Sequence, residues 1–193
     1  MLDKNHANGN DVYEMALKAG LHTVICQEPF LKSSFVIKVL KTSKIPVFYI
    51  DFDLMYSGCI KGRMVEKPNN VQIYRSNFLN YMDAIKTVIV ELTKRKCLVV
   101  LDSLNGFFSM HRGNDSCRSI NAYVSLLAFA AKSTNSSVMV ICMATHIEKK
   151  WILSPALGRI MHDGSKICLR RKGVNTIADV LDRFDTKTRS TVY

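Results

Sequence analysis

The sequence predicts an α/β fold with a mostly parallel central sheet, helices on both faces and a C-terminal antiparallel meander. Short apolar runs alternate with amphipathic helical patterns up to Ala144, which indicates parallel strands joined by helices. Several of these runs are apolar without interruption, as is typical of strands buried on both faces. Beyond residue 165, three short strand patterns follow one another across turn residues, and they predict the antiparallel extension.

The elements follow from these patterns in chain order. A polar segment over 1–11 is expected to be disordered, and a single domain is predicted over 12–193. Gly20 can end the first helix, and Asn77 suits the N-cap of the third. Loops are predicted at 54–70 and 107–115. Strands are predicted at 22–26, 45–52, 71–74, 97–101, 138–144, 166–171, 176–182 and 188–193, and helices at 12–18, 33–41, 78–96 and 116–133.

Composition narrows the classes of function. The 193 residues carry 27 Lys and Arg against 16 Asp and Glu, and this formal net charge of +11 favours nucleic acid or other acidic partners. The same charge can also serve solubility alone. The six cysteines are scattered without a C-x-x-C pair, which fits a reducing cytoplasm better than a disulfide framework or a zinc site. No apolar stretch reaches the length of a membrane span, so no membrane partner is predicted.

Residues 26–33 stand where a phosphate-binding loop, G-x-x-x-x-G-K-[ST], would follow a strand and open a helix. Lys32 and Ser33 keep the lysine and the hydroxyl of that pattern, but both glycines are replaced and Pro29 removes a backbone donor. Because glycine conformations and backbone N–H groups form the phosphate cradle, we expect weak binding of ATP and Mg²⁺ at best. Lys32 can equally be an ordinary residue at a helix start. The nucleotide-binding candidates are Cys26, Leu31, Lys32, Ser33 and Ser34.

Two aspartates that follow apolar strands are candidates for chemistry on a nucleotide. Asp102 ends the run at 97–101, where a carboxylate can hold magnesium through water beside a phosphate loop. Ser33 and Asp102 are therefore the metal candidates if Mg-ATP binds. Asp53 follows the run at 45–52 as a second carboxylate at the end of a strand. A carboxylate at the end of a strand often only caps the next helix, so each signal is weak alone.

Taken in order, these segments resemble the core domain of the RecA superfamily, most closely archaeal RadA- and RadB-like recombinase paralogues and KaiC-like proteins. The resemblance covers roughly residues 12–193 and is sharpest at Tyr-Ile-Asp over 49–51 and at Leu-Val-Val-Leu-Asp-Ser-Leu over 98–104. The closing pattern from Pro155 to Ala178 is similar to the final meander of that family. The resemblance implies a RecA-like P-loop NTPase fold whose members bind ATP and often DNA.

The same resemblance implies impaired catalysis. Relatives place a glutamate that polarises the attacking water at the position of Asp53, whose side chain is shorter by one methylene. In relatives, the strand that corresponds to 138–144 usually ends in a polar residue, such as glutamine, that senses the γ-phosphate. Here the predicted strand ends at Ala144, and Thr145 and His146 follow it. With both loop glycines lost, the resemblance implies a degenerate Walker A motif. No catalytic residue is then expected, and Asp53 and Asp102 are vestigial.

Two regions match the loops through which this family contacts DNA, at 109–117 and 145–155. Basic residues beside an aromatic ring suit single-stranded DNA, because cations meet the phosphates and bases stack on the ring. Alternatively, Trp151 packs over an apolar edge and the neighbouring lysines form a solvated face. The DNA-binding candidates are Arg112, Arg118, Lys149, Lys150 and Trp151.

Three functions remain open at this point. The first is a non-catalytic, cytoplasmic RecA-like paralogue that binds DNA, single-stranded DNA above all, or a recombinase partner, and modulates recombination or repair. The second is a weak ATP-binding protein or slow ATPase that uses Lys32, Ser33, Asp53 and Asp102. The third is a KaiC-like or scaffold subunit that acts only through protein assembly, for instance as a homo-oligomer. The altered loop disfavours the second, and the basic charge favours the first over the third.

Overall fold

The computed structural model describes residues 10–77, 79–110, 115–147, 150–153, 165–181 and 187–192. Six helices and nine strands lie in these ranges. The helices are α1 Asn10–Ala16, α2 Pro29–Thr42, α3 Met55–Lys61, α4 Tyr81–Lys94, α5 Leu104–Met110 and α6 Ser116–Ser133. The strands are β1 Gly20–Cys26, β2 Val47–Asp51, β3 Val71–Arg75, β4 Leu98–Asp102, β5 Ser137–Ile147, β6 Lys150–Leu153, β7 Ser165–Lys172, β8 Asn175–Leu181 and β9 Lys187–Val192.

The strands form a sheet in the order β3-β2-β4-β5-β1-β7-β8-β9, and β6 pairs with β5 as a hairpin partner. The pairs from β3 to β7 along this order are parallel, whereas β7-β8 and β8-β9 are antiparallel. The predicted α/β fold, with its mostly parallel sheet and antiparallel tail, is confirmed. Because parallel strands share their direction, the carboxyl ends of β1, β2 and β4 meet at one edge of the sheet.

Helices cover both faces of the sheet. Apolar residues of α1 and α2 pack on one face, and those of α4, α5 and α6 pack on the other. β2 and β4 are buried along their whole length, in agreement with their uninterrupted apolar sequences. Each fully buried aliphatic side chain stabilises the fold by about 1.5–3 kcal/mol relative to exposure. None of the helices in the described ranges is long and apolar enough to cross a membrane.

Several predicted boundaries are wrong, and most of the errors lie near the carboxyl edge. α1 spans Asn10–Ala16 rather than the predicted 12–18. α2 begins at Pro29 rather than at residue 33, because the fixed φ of proline suits the first position of a helix. The expected loop over 54–70 contains α3, and the one over 107–115 is preceded by α5, which extends into it. In the predicted DNA loop at 145–155, β5 continues to Ile147 and pairs with β6.

Candidate functional site

A buried lysine joins two carboxylates at the carboxyl edge of the sheet. The Lys32 Nζ atom donates to Asp53 Oδ2 at 2.6 Å and to Asp102 Oδ1 at 2.8 Å. The side chains of Lys32 and Asp102 are each 2% exposed, while that of Asp53 is 28% exposed. Tyr49, also fully buried, donates its hydroxyl hydrogen to the other oxygen of Asp102. Lys32 therefore contacts both candidate aspartates. Tyr49, which was not a predicted site residue, contacts Asp102.

The local backbone explains why Lys32 points into this cluster. β1 ends at Cys26, and only Gln27 and Glu28 separate it from the start of α2 at Pro29. Lys32 is therefore the fourth residue of α2 rather than the end of a wide loop. The Gln27 N–H donates to the Leu169 carbonyl of β7 at 3.0 Å, which ties the short turn to the sheet.

This short turn offers little of a phosphate cradle. The backbone N–H groups of Gln27 and Lys32 are bonded to carbonyls of the protein, and Pro29 has none. Cys26 and Leu31, which stand at the glycine positions of the motif, are buried in the core that α2 makes with the sheet. Ser33 Oγ donates weakly to Met55 Sδ at 3.4 Å, and Ser34 is partly exposed. These contacts engage the backbone donors of Gln27 and Lys32 within the protein.

The carboxylates of β2 also serve the helix that follows. Leu54, at the N-cap of α3, has a left-handed φ of 60° and makes no side-chain cap bond. Asp53 Oδ1 accepts from the Met55 N–H at 3.1 Å, and Asp51 Oδ2 accepts from the Ser57 N–H at 2.7 Å. These two acceptors satisfy N–H groups that the first turn of a helix leaves without intrahelical partners. Asp53 therefore holds α3 and Lys32 at the same time.

The two carboxylates that share Lys32 shift their pKa values in opposite directions. Burial raises the pKa of Asp102 to about 6, although Lys32 and Tyr49 act against this rise. Burial also acts to raise the pKa of Asp53, but its hydrogen bond with Lys32 and the lysine charge lower that pKa below its usual value. Burial acts to lower the pKa of Lys32, yet the nearby Asp102 and Asp53 raise it. Lys32 therefore stays protonated, and Asp53 is its more fully ionised partner.

The donor set resembles a metal site, but the protein supplies its own cation. One oxygen of each of Asp51, Asp53 and Asp102 lies within 4.8 Å of the others, and carboxylate oxygens are ligands that Mg²⁺ prefers. The Lys32 ammonium contacts two of these three carboxylates. A divalent ion at the cluster would therefore have to share or displace that ammonium, and the residues do not fit a resident Mg²⁺ held together with a nucleotide.

The candidate DNA-contacting residues do not form one described patch. Arg118 is 87% exposed on α6, with Asp115 3.6 Å away. Trp151 lies on β6, packs partly against the core, and has its ring 4.8 Å from the ring of His146 on β5. Lys150 is part of β6, whereas Arg112 and Lys149 lie outside the described residues. The pairing of His146 with Trp151 was missed, because only a hairpin register brings these residues together.

Comparison with known proteins bears on the fold. No protein-family model and no curated protein matches the chain. Among solved structures, a RadB recombinase matches with a TM-score of 0.65 and 16% identity, covering 97% of this chain and 94% of the other. The ATPase domain of a further protein matches with a TM-score of 0.63 and 10% identity over 98% and 88% of the two chains. The chain has the fold of a RecA-superfamily core domain. A KaiC-like protein from Pyrococcus horikoshii matches as well, with a TM-score of 0.52 and 15% identity over 91% and 90%.

The structural similarity establishes the RecA-like fold, and the activity has to be argued from the residues. Lys32 and Asp102, which the sequence predicts as the phosphate lysine and the strand-end aspartate, are in contact. The expected loop is replaced by the two-residue turn before Pro29. The recognised fold and the altered residues together define the question of function.

Proposed function

We propose that this protein is a non-catalytic RecA-like paralogue that binds single-stranded DNA or a recombinase partner and modulates recombination or repair. The observation that carries the proposal is the Lys32 ammonium, buried between Asp53 and Asp102. In a working site a lysine meets phosphate and a strand-end aspartate meets magnesium. Here each satisfies the other, and the Walker A motif is degenerate in our interpretation.

The free energy of the cluster explains why a nucleotide would compete poorly. To take up a phosphate, Lys32 would have to leave two carboxylates that neutralise it in a buried environment. Removing one partner of a buried pair typically costs about 3–5 kcal/mol. The short turn at Gln27 and Glu28 offers few backbone donors in return. A ligand must exceed that cost with contacts that the described residues do not provide.

The case for DNA depends on charge and on the β5-β6 hairpin. The net charge of +11 attracts polyanions, and Trp151 places an aromatic ring on a strand that begins at Lys150. Trp151 and Ile152 keep part of their surface exposed. Stacking of one base on an aromatic side chain is worth about 1–3 kcal/mol. Trp151 also packs against the core, but this contact uses only the buried part of its side chain.

The compartment and the partners follow from the same reasoning. All six cysteines are free thiols, and four of them are buried, which supports a reducing compartment such as the cytoplasm. The fold similarity to a RadB recombinase supports a recombinase-type protein as the alternative partner to DNA. A homo-oligomer would be consistent with either role.

A slow ATPase is the second candidate, because Lys32, Asp53 and Asp102 do converge. The non-catalytic role that we propose predicts negligible ATP turnover by the purified chain, measured as phosphate release with Mg-ATP. It also predicts no change in that background for Asp53→Asn, which removes the only partly exposed carboxylate that contacts Lys32 in the described residues. A robust rate that Lys32→Ala abolishes, in a variant shown to be folded, would establish the ATPase instead.

A salt-dependent titration tests the DNA role. We expect a labelled single-stranded oligonucleotide to bind, with or without Mg-ATP, and to quench the fluorescence of Trp151, the only tryptophan of the chain. Replacing Lys149 and Lys150 by alanine should reduce the slope of log K against log[salt] by about 1.4, or 0.7 for each lost phosphate contact. An unchanged slope would remove these lysines from the interface.

The same titration separates the three candidate functions. If the oligonucleotide binds only when Mg-ATP is present, the ATPase is favoured, because the chain must then bind the nucleotide in order to bind DNA. A wild-type chain that binds neither single- nor double-stranded DNA, but forms oligomers or captures a recombinase, would favour the scaffold. Binding that is independent of nucleotide supports the proposed function.

A further inference from the structure

Two adjoining grooves run along β3, the outermost parallel strand. The first groove, of about 350 Å³, is lined by Lys44 and Arg95 together with the amide side chain of Asn69. The second, of about 640 Å³, is lined by Lys67 and Arg75. Val71 and Gln72 line both grooves, and we call the two grooves together the β3 groove.

The β3 groove is strongly basic. Four of its lining residues are cationic, and none of the described residues that line it is Asp or Glu. Outside the lining, Glu91 accepts from Arg95 at 2.6 Å and from Lys94 at 3.1 Å. Two cations therefore share one carboxylate there, and the local surplus remains positive. Such a field concentrates polyanions at the groove.

Contacts within the protein hold two of the four cations in place. The Arg95 guanidinium lies over the ring of Phe48, 5.6 Å from its centroid, and Phe48 is 2% exposed. The Lys67 ammonium donates to the Val71 carbonyl at 2.8 Å and keeps its full charge. The exposed amides of Asn69 and Gln72 line the same surface and can donate to or accept from sugars and base edges.

The edge of β3 is poorly suited to pairing with a strand of another protein. At the start of β3, the Val71 N–H donates to the Pro68 carbonyl and the Val71 carbonyl accepts from Lys67. Both groups are therefore used within the chain, and lysine and proline beside an edge strand discourage added strands. A flexible polyanion needs no backbone pairing and can follow both parts of the groove.

We propose that the β3 groove is a second nucleic-acid site, which takes the phosphate backbone of a single strand. It is separate from the β5-β6 hairpin, since β2 and β4 lie between β3 and β5 in the sheet. A single strand suits it better than a duplex, because the exposed amides of Asn69 and Gln72 can bond to the edges of unpaired bases. The site would add affinity without contact with the Lys32 cluster.

The test compares two double variants of the full chain by fluorescence anisotropy with labelled oligo-dT across a series of salt concentrations. The groove variant, Lys44→Ala with Arg75→Ala, removes one cation from each part of the groove. The matched control, Lys38→Ala with Lys86→Ala, removes the same charge from exposed positions on α2 and α4. The groove variant should lower the salt slope by about 1.4. The control should leave the slope unchanged.

A second measurement uses the wild-type chain, so it does not depend on the folding of a variant. Lysine acetylation followed by mass spectrometry should show that bound oligo-dT protects Lys44 and leaves Lys38 and Lys86 reactive. Equal slopes for the groove and control variants, or no protection of Lys44, would overturn the site. Poly-glutamate that competes as well as oligo-dT would overturn it too, because the groove would then take an acidic protein segment.

The outcome for the groove is distinguishable from the outcome for the hairpin. If the Lys149 and Lys150 variant loses affinity while the groove variant does not, the proposed function stands and the groove inference fails. If only the groove variant loses affinity, nucleic acid binds along β3, and the hairpin lysines have no part in it.

Discussion

Lys32 is the residue on which the interpretation of the site depends. A lysine ammonium at 2% exposure would normally lose several kcal/mol of hydration free energy. It persists here because Asp53 and Asp102 each accept one of its hydrogens. Tyr49 then satisfies the remaining oxygen of Asp102, so the buried carboxylate is also paired on both sides. The four side chains therefore form a closed network, whose members depend on one another for stability.

Replacing Lys32 by methionine tests this mutual dependence. The variant keeps most of the side-chain volume but leaves Asp102 without its cation, so we expect a loss of about 3 kcal/mol in the free energy of unfolding. Urea denaturation measures it. The double variant Lys32→Met with Asp102→Asn should recover much of the loss, because the uncompensated charge is then absent. If the free energy of unfolding of Lys32→Met stayed within about 0.5 kcal/mol of the wild-type value, the unpaired Asp102 would cost little and the mutual dependence would be contradicted.

The sequence could group Lys32, Asp53 and Asp102, because strand-end residues of a parallel sheet meet at one edge. It could not say that they would bond to one another instead of facing a ligand. That outcome depends on where the α2 axis begins, and a shift of four residues decides it. The role of Tyr49 was equally hidden, since both faces of β2 are buried and an apolar run does not show which face a hydroxyl meets.

At the scale of elements, long periodic segments were predicted well and short ones were missed. α6 matches its predicted bounds, because eighteen residues allow the helical period to repeat. α3 and α5 have seven residues each, too few for a periodic signal. Asp51 and Asp53 accept from N–H groups of the first turn of α3, a capping role that the sequence analysis did not assign to either residue.

α5 shows how an element without a strong sequence signal is still constrained by packing. Gly106 lies so close to the chain that an added Cβ would be 3.0 Å from the Phe52 carbonyl carbon and 3.1 Å from the Asp53 nitrogen. The ring of Phe107, the next residue, stacks on that of Phe52 with 4.2 Å between centroids. α5 therefore packs directly against the backbone that positions Asp53. In this way a helix outside the motif helps to fix the lysine cluster.

At the scale of the whole molecule, internal pairing leaves the surface basic. Asp102 is neutralised by Lys32, and Asp179 by Arg170 at 3.0 Å across β7 and β8. Each of these pairs removes one base and one acid from the balance, so the surplus of 27 basic over 16 acidic side chains is left for the rest of the molecule. The net charge was readable from the sequence, but its concentration at the β3 groove depends on the order of strands. That order is set by long-range pairing, which local patterns do not specify.

The pH dependence of global stability is governed partly by a buried histidine that joins three elements. His22 on β1 lies with Nε2 2.8 Å from the Lys18 carbonyl, just after α1, and Nδ1 2.6 Å from the Ser165 hydroxyl of β7. A neutral ring satisfies both contacts by donating from Nε2 and accepting at Nδ1. Burial lowers the pKa of His22 below 6.5, with the carbonyl of Lys18 opposing the shift and its charge adding to it.

Because the unfolded chain protonates His22 more readily than the folded chain, the free energy of unfolding should fall as pH decreases below about 6.5. Asp102 acts in the opposite direction, since its pKa of about 6 lets the folded state take up a proton between pH 6 and 4. Urea titrations across this range should therefore be compared with His22→Gln, which keeps a donor for the Lys18 carbonyl and does not titrate. The wild-type stability should decline relative to the variant as pH falls, and parallel curves would show that the ring protonates equally in both states.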